Sequence, residues 1–259
     1  MKKMTNIVYK VFHSDKDVDR EQLWREANHK LQYIGDELDT PTVLISGPRA
    51  LKKFFDENPE FKEIVDLKGY SPAKYMDHRS QFVGAVCRVG WRYGELGVWA
   101  SNWVAWKNFL KTDADYLILA EDDIVLIEDC KKLLEMYMEQ LPEGWDQFHL
   151  WAPTGDLSLY DPNKHGIGNM YVSKAYQNWS NTGYMLSRTG AQKLLDDVKK
   201  RSIKLPLDWL WFQESAEFDF NCYTITPQST HLCYNSQEVG STFHWQMRRE
   251  DLTNYDSDL

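Results

Sequence analysis

The chain has 259 residues, of which 42% are apolar and 27% charged, and its formal net charge is −9. This composition indicates a globular protein with a substantial core and excludes a disordered chain. The acidic balance argues against a nonspecific nucleic-acid binder, which would usually be basic. Since no apolar run has the length of a membrane span or of a signal peptide, we expect no transmembrane segment and a cytoplasmic location.

Cysteine spacing gives no metal or disulfide signal. The four cysteines are Cys87, Cys130, Cys222 and Cys233, and no two of them form a CxxC pair. We therefore expect reduced, buried thiols rather than a zinc site or a disulfide framework.

Apolar periodicity in the first part of the chain predicts strands that alternate with helices. The first strand is predicted at residues 7–12, and the first helix at 17–35, where Gly35 ends it. A second strand is expected at 42–47, followed by a helix that begins near Pro48.

The same alternation continues through the rest of the chain. Further helices are predicted at 94–112, 130–141 and 189–201, and further β-rich segments at 116–120, 145–151, 170–176, 184–187 and 222–228. About the last thirty residues have no regular pattern. Strands alternating with helices favour an α/β fold with a mainly parallel central sheet flanked by helices.

Three consecutive acids follow the predicted strand at 116–120. They are Glu121, Asp122 and Asp123, and apolar residues resume at Ile124. In open α/β sheets, ligands bind beyond the carboxyl ends of the strands. In an extended segment Glu121 and Asp123 would share a face, where their charges repel unless a cation lies between them.

Two interpretations of the acidic triplet follow from its position. Mg²⁺ and Mn²⁺ prefer oxygen ligands and are commonly held by one or two carboxylates plus substrate phosphates, so the acids are predicted to hold a divalent ion that bridges to a diphosphate. The alternative is a solvated acidic loop that caps the helix beginning near Glu128. The spacing alone leaves both open.

Four stretches in order carry a resemblance to a known family. They are "GELGVWASNWVAW" (94–106), "EDD" (121–123), "NTGYMLSRTGAQKLLD" (181–196) and "LPLDW" (205–209). Together they resemble glycosyltransferase family 25, which includes bacterial lipooligosaccharide galactosyltransferases and collagen hydroxylysine galactosyltransferases. The positions that match its pattern are Gly94, Gly97, Ser101, Trp106, Glu121, Asp122, Asp123, Tyr184, Ser187, Gly190, Ala191, Leu194, Leu195, Pro206 and Asp208.

The chain also departs from the family pattern. Val98 and Asn102 stand where the family has Cys and His, and Ala120 stands where the residue before the triplet is usually Leu. Arg20 occupies the place of an arginine that follows the family's first strand.

The resemblance implies a single GT-A-like domain over residues 1–259, with a donor-binding half at about 1–126 and an acceptor-side half at about 127–259. It implies a metal-dependent, inverting glycosyltransferase that moves a hexose or pentose from a nucleotide diphosphate sugar to an acceptor hydroxyl. A lipopolysaccharide-type glycan is the favoured acceptor, and a phage hydroxymethylated DNA base or a hydroxylated protein side chain are alternatives. A catalytically inactive sugar- or nucleotide-binding protein, or a metal-dependent phosphatase or nuclease, remain alternative functions.

Within that resemblance, the acids take the metal roles. Asp123 is the expected ligand of Mn²⁺ or Mg²⁺, Glu121 its partner, and Asp122 a contact to the ribose or the sugar of the donor. His244 would complete the metal shell, although a lone histidine is more often structural. Asp208 is the expected catalytic base because it matches the family's Pro-x-Asp, and a helix N-cap is its alternative role.

Other residues are expected to bind the donor. Arg20 and Arg92 would contact its phosphates near the N-terminus of the helix at 94–112, with Ser101 on the same helix. Asn181 and Tyr184 would contact the sugar or the acceptor, and a core position is the alternative role for Tyr184. Asp219 and Glu217 are fallback candidates for the base.

Overall fold

A computed structural model describes residues 3–9, 18–40, 42–69, 91–151, 172–174, 182–207, 219–226 and 231–235. Within these ranges the strands are β1 (Met4–Tyr9), β2 (Asp36–Glu37), β3 (Tyr116–Glu121), β4 (Ile124–Leu126), β5 (Gln147–His149), β6 (Val172–Lys174), β7 (Gly183–Ser187), β8 (Cys222–Ile225) and β9 (Cys233–Asn235). The helices are α1 (Val18–Leu31), α2 (Pro48–Glu57), α3 (Pro59–Ile64), α4 (Tyr93–Lys111), α5 (Cys130–Met138) and α6 (Arg188–Arg201).

Seven of these strands form one mixed sheet in the order β2-β1-β3-β7-β5-β8-β6. The pairs β1–β2, β1–β3 and β5–β8 are parallel, whereas β7 is antiparallel to both β3 and β5, and β6 to β8. Five strands therefore point one way, and only β7 and β6 are reversed. This arrangement confirms the predicted α/β fold with a mainly parallel sheet.

Helices cover both faces of the sheet because its strands are apolar on both sides. On one face, Leu117 and Leu119 of β3 pack in a core cluster with residues of α2, α3, α4 and α6. On the other face, Ile118 and Ala120 pack with residues of α1 and α5 and of the two-stranded β4–β9 sheet. The alternation along β3 assigns successive side chains to opposite layers.

Most predicted elements are confirmed, with ends that shift by a few residues. The first helix ends at Leu31 rather than at Gly35. The buried Asn6 of β1 donates its side-chain amide to the carbonyls of Leu31 (2.9 Å) and Gly35 (2.6 Å), and these bonds tie the end of α1 to β1. No helix within the described ranges combines the length and apolarity needed to cross a bilayer.

The predicted strand at 42–47 is wrong. The described residues there form no strand, and the sheet position beside β1 is taken by Asp36–Glu37. Residues 43–45 instead pack against α4. The Ser101 hydroxyl bonds the carbonyl of Val43 at 3.2 Å and accepts its N–H at 3.3 Å, and the position of a Cβ on Gly97 would be 3.4 Å from the Ile45 nitrogen.

The short strands β4 and β9 were not predicted from the sequence. Three residues are too few for a periodicity to show. The cysteine prediction is confirmed for Cys130, Cys222 and Cys233, which are free and buried, and burial raises the pKa of the Cys130 thiol to about 12. Cys87 lies outside the described residues.

Arg188, the first residue of α6, ties that helix to the end of α4. Its guanidinium donates to the carbonyls of Leu110 (2.8 Å), Thr112 (2.8 Å) and Ala114 (3.1 Å). Carbonyls at a helix C-terminus have no helical partner, and a cation there also opposes the negative end of the helix dipole. This contact fixes the segment that leads from α4 into β3.

We expect Arg188→Met to lower the free energy of unfolding by about 1–3 kcal/mol, because hydrogen bonds from a charged donor to several carbonyls are lost. Chemical denaturation with circular dichroism measures the change. Arg25→Met is the matched control, since Arg25 is exposed and pairs with Glu21 one turn away in α1, and such pairs contribute little. Equal stability of the two variants would contradict the capping role of Arg188.

Candidate active site

The three consecutive acids form a turn (residues 121–123, the acidic turn) at the carboxyl end of the central strand β3. Glu121 is the last residue of β3 and is partly exposed, whereas Asp122 and Asp123 are buried, with 1% and 6% of their surface exposed. The parallel strands β1, β3, β5 and β8 all end at this edge of the sheet. This is the edge at which open α/β sheets bind ligands.

Main-chain bonds hold the chain on both sides of the acidic turn. The Glu121 N–H donates to the carbonyl of Thr182 at 3.0 Å. After the turn, the chain leaves the main sheet and enters β4, which pairs with β9. Lys30 of α1 donates its ammonium to the carbonyl of Leu126 at 2.5 Å, at the end of β4.

From the sequence, an extended backbone was expected for all three acids, but in the structure only Glu121 belongs to the strand. Asp122 and Asp123 lie in the turn between two strands of different sheets, so the spacing that would place Glu121 and Asp123 on one face does not apply. The solvated-loop alternative also disagrees with the structure, because two of the three carboxylates are buried. Helix α5 begins later, with Asp129 at its N-cap, so the triplet does not cap that helix.

Buried carboxylates are costly unless a partner compensates their charge. Oxygen ligands of this kind suit Mg²⁺ and Mn²⁺. Within the described ranges no group of three or more His, Cys, Asp or Glu side chains is arranged to hold a metal by itself. The acidic turn supplies carboxylate oxygens of the kind that Mg²⁺ takes alongside water and substrate phosphates, and a metal at this turn stays a prediction.

Helix α4 runs back from the acidic edge toward the start of β3. Its N-cap is Arg92, whose backbone N–H donates to the side chain of Glu95 at 3.0 Å, and Glu95 is itself buried in the first turn. Gly97 and Ser101 make the contacts to residues 43–45 described above. For Gly97 these contacts favour close packing, while the expected donor role of Ser101 stays a prediction.

Tyr184 of β7 is fully buried and joins the sheet to α4 through its hydroxyl. It donates to the Asn102 side-chain oxygen and accepts from the Trp106 indole N–H at 3.0 Å. Asn102 in turn donates to the carbonyl of Val98 at 2.9 Å. Burial raises the pKa of Tyr184 well above its ordinary value, so the hydroxyl stays protonated. These are the contacts of a core tyrosine, and a role toward the donor stays a prediction.

The structure adds buried polar residues beside Tyr184 that the sequence analysis did not select. His149 of β5 pairs directly with Tyr184, and Thr224 of β8 pairs with His149, so the three side chains form a row across one face of the sheet. All three are fully buried. The only sequence signal for these residues is a single polar residue within an apolar strand. Hydrophobic periodicity depends on the apolar positions, so it does not select such a residue.

Several predicted site residues lie outside the described residues, namely Asn181, Asp208, Glu217 and His244. Arg20 belongs to α1, but only its backbone is described. Leu207, the residue before Asp208, is described and is buried in the same core cluster as Trp99 of α4. The Trp99 indole donates to the carbonyl of Leu205 at 2.7 Å. Asp219 precedes the start of β8, at the edge opposite the acidic turn, so it is excluded as a base there.

Fold and site together define an α/β protein in which an inner strand of a mainly parallel sheet ends in buried carboxylates. Residues 91–211, which include α4, the acidic turn, β7 and α6, match the family described as "Glycosyltransferase family 25 (LPS biosynthesis protein)". A Haemophilus influenzae protein described as "Putative glycosyltransferase" is 27% identical over 139 residues, which are 52% of this chain and 47% of that protein.

Two animal proteins are also similar to the chain. Procollagen galactosyltransferase 2 of Homo sapiens is 26% identical over 107 residues, which are 39% of this chain and 16% of that protein. Procollagen galactosyltransferase 1-B of Xenopus laevis is 25% identical over 142 residues, which are 54% and 22% of the two chains. The matched segments thus span less than half the length of each relative. Residues 91–211 are thus similar to glycosyltransferase family 25, and the mixed sheet agrees with an α/β glycosyltransferase fold.

We expect Tyr184→Phe to lower the free energy of unfolding by about 1–3 kcal/mol, because it leaves the buried Asn102 oxygen and the Trp106 N–H without the tyrosine hydroxyl. Urea denaturation followed by tryptophan fluorescence measures the change. The control is Tyr33→Phe, because Tyr33 is 65% exposed and should tolerate the change. If Tyr184→Phe were as stable as that control, the hydrogen-bonded link between α4 and β7 would contribute nothing.

Proposed function

We propose that this protein is a glycosyltransferase that moves a hexose or pentose from a nucleotide diphosphate sugar to an acceptor hydroxyl. The observation that carries the proposal is the pair of buried carboxylates, Asp122 and Asp123, at the carboxyl end of β3. They lie inside the region that matches the family. Burial of adjacent charges at a ligand-binding edge is explained when a cation and a diphosphate complete the site.

The proposed transfer is a single displacement with inversion at the sugar. The acceptor oxygen forms a bond to the anomeric carbon, and the bond from that carbon to the phosphate oxygen breaks. The nucleoside diphosphate leaves with the bonding electrons, and the proton of the acceptor hydroxyl passes to a base. Inversion follows because the acceptor attacks from the side opposite the leaving group.

For the cation, we propose Asp123 as a direct ligand and Glu121 as a second ligand, direct or through water. Asp122 is proposed to contact the ribose or the sugar, and His244 to complete the shell. Mn²⁺ or Mg²⁺ at this position would stabilise the negative charge that the leaving diphosphate gathers. The carboxylate oxygens of the acidic turn match the ligand preference of both ions.

For proton removal we propose Asp208. Its sequence position matches the family's Pro-x-Asp, and the described chain before it is anchored to α4 through the Trp99 indole and the Leu205 carbonyl. A base must lie within hydrogen-bond reach of the acceptor hydroxyl, and an anchored approach limits the positions that the base can take. The alternative role of Asp208 as a helix N-cap gives a different expectation for Asp208→Asn. Asparagine also caps a helix but cannot accept the proton, so the variant would keep its activity only if Asp208 were a cap.

For the donor phosphates we propose Arg92 at the N-cap of α4 together with Arg20. The exposed N–H groups of a helix N-terminus and arginine side chains both bind phosphate. Ser101, Asn181 and Tyr184 are proposed on the donor or acceptor side. A lipopolysaccharide-type glycan is the favoured acceptor because the family description names LPS biosynthesis. A hydroxylated protein side chain, as the names of the procollagen relatives suggest, and a hydroxymethylated DNA base are the alternatives.

A thermal-shift screen of nucleotide sugars with and without Mn²⁺ tests the proposal first. A donor present at one hundred times its Kd stabilises the native state by about 2.7 kcal/mol, which for a domain of this size raises Tm by roughly 5–10 °C. We expect such a shift with one donor class and only with metal. Absence of a shift with every donor, on protein that unfolds cooperatively, would overturn the donor-binding step.

Asp123→Asn should abolish the metal-dependent part of that shift, because it removes the charge with little change in shape. Asp129→Asn is the matched control, since Asp129 is exposed six residues further along and its side chain makes no cap bond. Isothermal titration with Mn²⁺ and the donor found in the screen measures both variants. If Asp123→Asn bound Mn²⁺ with wild-type affinity, Asp123 would not be a metal ligand. Donor binding in the wild type without transfer to any acceptor would favour a binding protein over an enzyme.

A further inference from the structure

Gly183, the first residue of β7, lies directly behind the acidic turn. In the sheet it pairs with Ala120, the residue before Glu121. A Cβ placed on Gly183 would lie 2.8 Å from Cδ1 of Ile124, 3.3 Å from Sγ of Cys233 and 3.6 Å from Cδ1 of Leu150. Cβ atoms in real proteins essentially never lie 2.8 Å from another side-chain atom. The Ile124 side chain therefore occupies the space that a side chain at position 183 would need.

Ile124 has little freedom to move out of that space. It is 1% exposed, and it is the first residue after the acidic turn. Cys233 and Leu150 line the same space and are fully buried. Cδ1 is the end of the Ile124 side chain, so it can be displaced by a change of rotamer or by a shift of the backbone. Because protein interiors are close-packed, a changed rotamer would press on these neighbours, which favours the backbone shift.

Two consecutive residues at the start of β7, Thr182 just before it and Gly183 within it, therefore hold the chain on either side of the two buried aspartates. The carbonyl of Thr182 accepts the Glu121 N–H before them, and Gly183 makes room for Ile124 after them. A shift of Ile124 would consequently fall on Asp122 and Asp123, and it would strain the bond from the Glu121 N–H to the Thr182 carbonyl at the start of the acidic turn.

We propose that Gly183 is a positioning residue, which places the carboxylates of the acidic turn by leaving room for Ile124. The consequence for metal binding rests on the proposed function. A metal site tolerates only small displacements of its ligands. A single added methyl group at position 183 should thus disturb the site although it touches no acid.

The test compares Gly183→Ala with the double variant Gly183→Ala/Ile124→Val. Valine lacks Cδ1, the atom that the new methyl group would meet at 2.8 Å, so the second change restores the space. Gly190→Ala is the matched control, because a Cβ there would lie 2.2 Å from the backbone oxygen of Asp146. It introduces a clash in α6 that is remote from the acidic turn.

The first readout is hydrogen exchange of the Glu121 amide, measured by NMR at equal unfolding free energy set with denaturant. We expect this amide to exchange about tenfold faster in Gly183→Ala than in Gly190→Ala, because local rather than global opening exposes it. The double variant should return to the rate of the control. Equal rates in the two glycine variants, or no recovery on adding Ile124→Val, would overturn the proposal.

The second readout is the affinity for Mn²⁺ alone, measured by the electron paramagnetic resonance signal of the free ion. Changes in residues that orient metal ligands typically cost about 10–100-fold in affinity. We expect a loss in that range for Gly183→Ala, recovery in the double variant, and wild-type affinity for Gly190→Ala. If the wild type binds no Mn²⁺, the metal part of the proposed function fails, and the exchange rates of the Glu121 amide still decide whether Gly183 positions the turn.

Discussion

The antiparallel pairing of β3 with β7 is the constraint on which the described site depends. It joins the strand that leads into the three acids to the strand that carries Gly183 and Tyr184 and that Thr182 precedes. A shift of one residue in this register would exchange the two faces of β7. Tyr184 would then leave α4, and the space for Ile124 would disappear. Position in the site and packing in the core are therefore set by the same ladder of main-chain bonds.

The acidic turn places two buried carboxylates side by side where the chain passes from one sheet to another. Burial of charge opposes folding unless a partner compensates it, so the groups around these carboxylates decide their effect on stability. The chain that follows the turn is held firmly, because β4 pairs with β9 and the Lys30 ammonium donates to the carbonyl at its end.

The sequence predicted the long periodic elements and singled out the three acids, but it did not predict the contacts that place them. Helices α4 and α6 and strand β3 have strong apolar patterns, and their existence and type were correct. The strand predicted at 42–47 was wrong because these residues pack against α4 instead of pairing with the sheet. Local β-propensity cannot reveal such a tertiary contact. The geometry of residues 121–123 was wrong for a similar reason. An extended strand was assumed, while the turn depends on β9, more than one hundred residues later in the chain.

The link between α4 and β7 also shows what the departure from the family pattern at Asn102 does in this chain. The family has His at this position, and a histidine can gain charge between pH 5 and 8. Asn102 has no titratable group, and burial raises the pKa of its partner Tyr184. The Asn102–Tyr184–Trp106 connection therefore stays neutral across the physiological range. Glu121 lies close enough to raise the pKa of Tyr184 as well, so the uncharged form of this link is favoured both by burial and by the neighbouring acid.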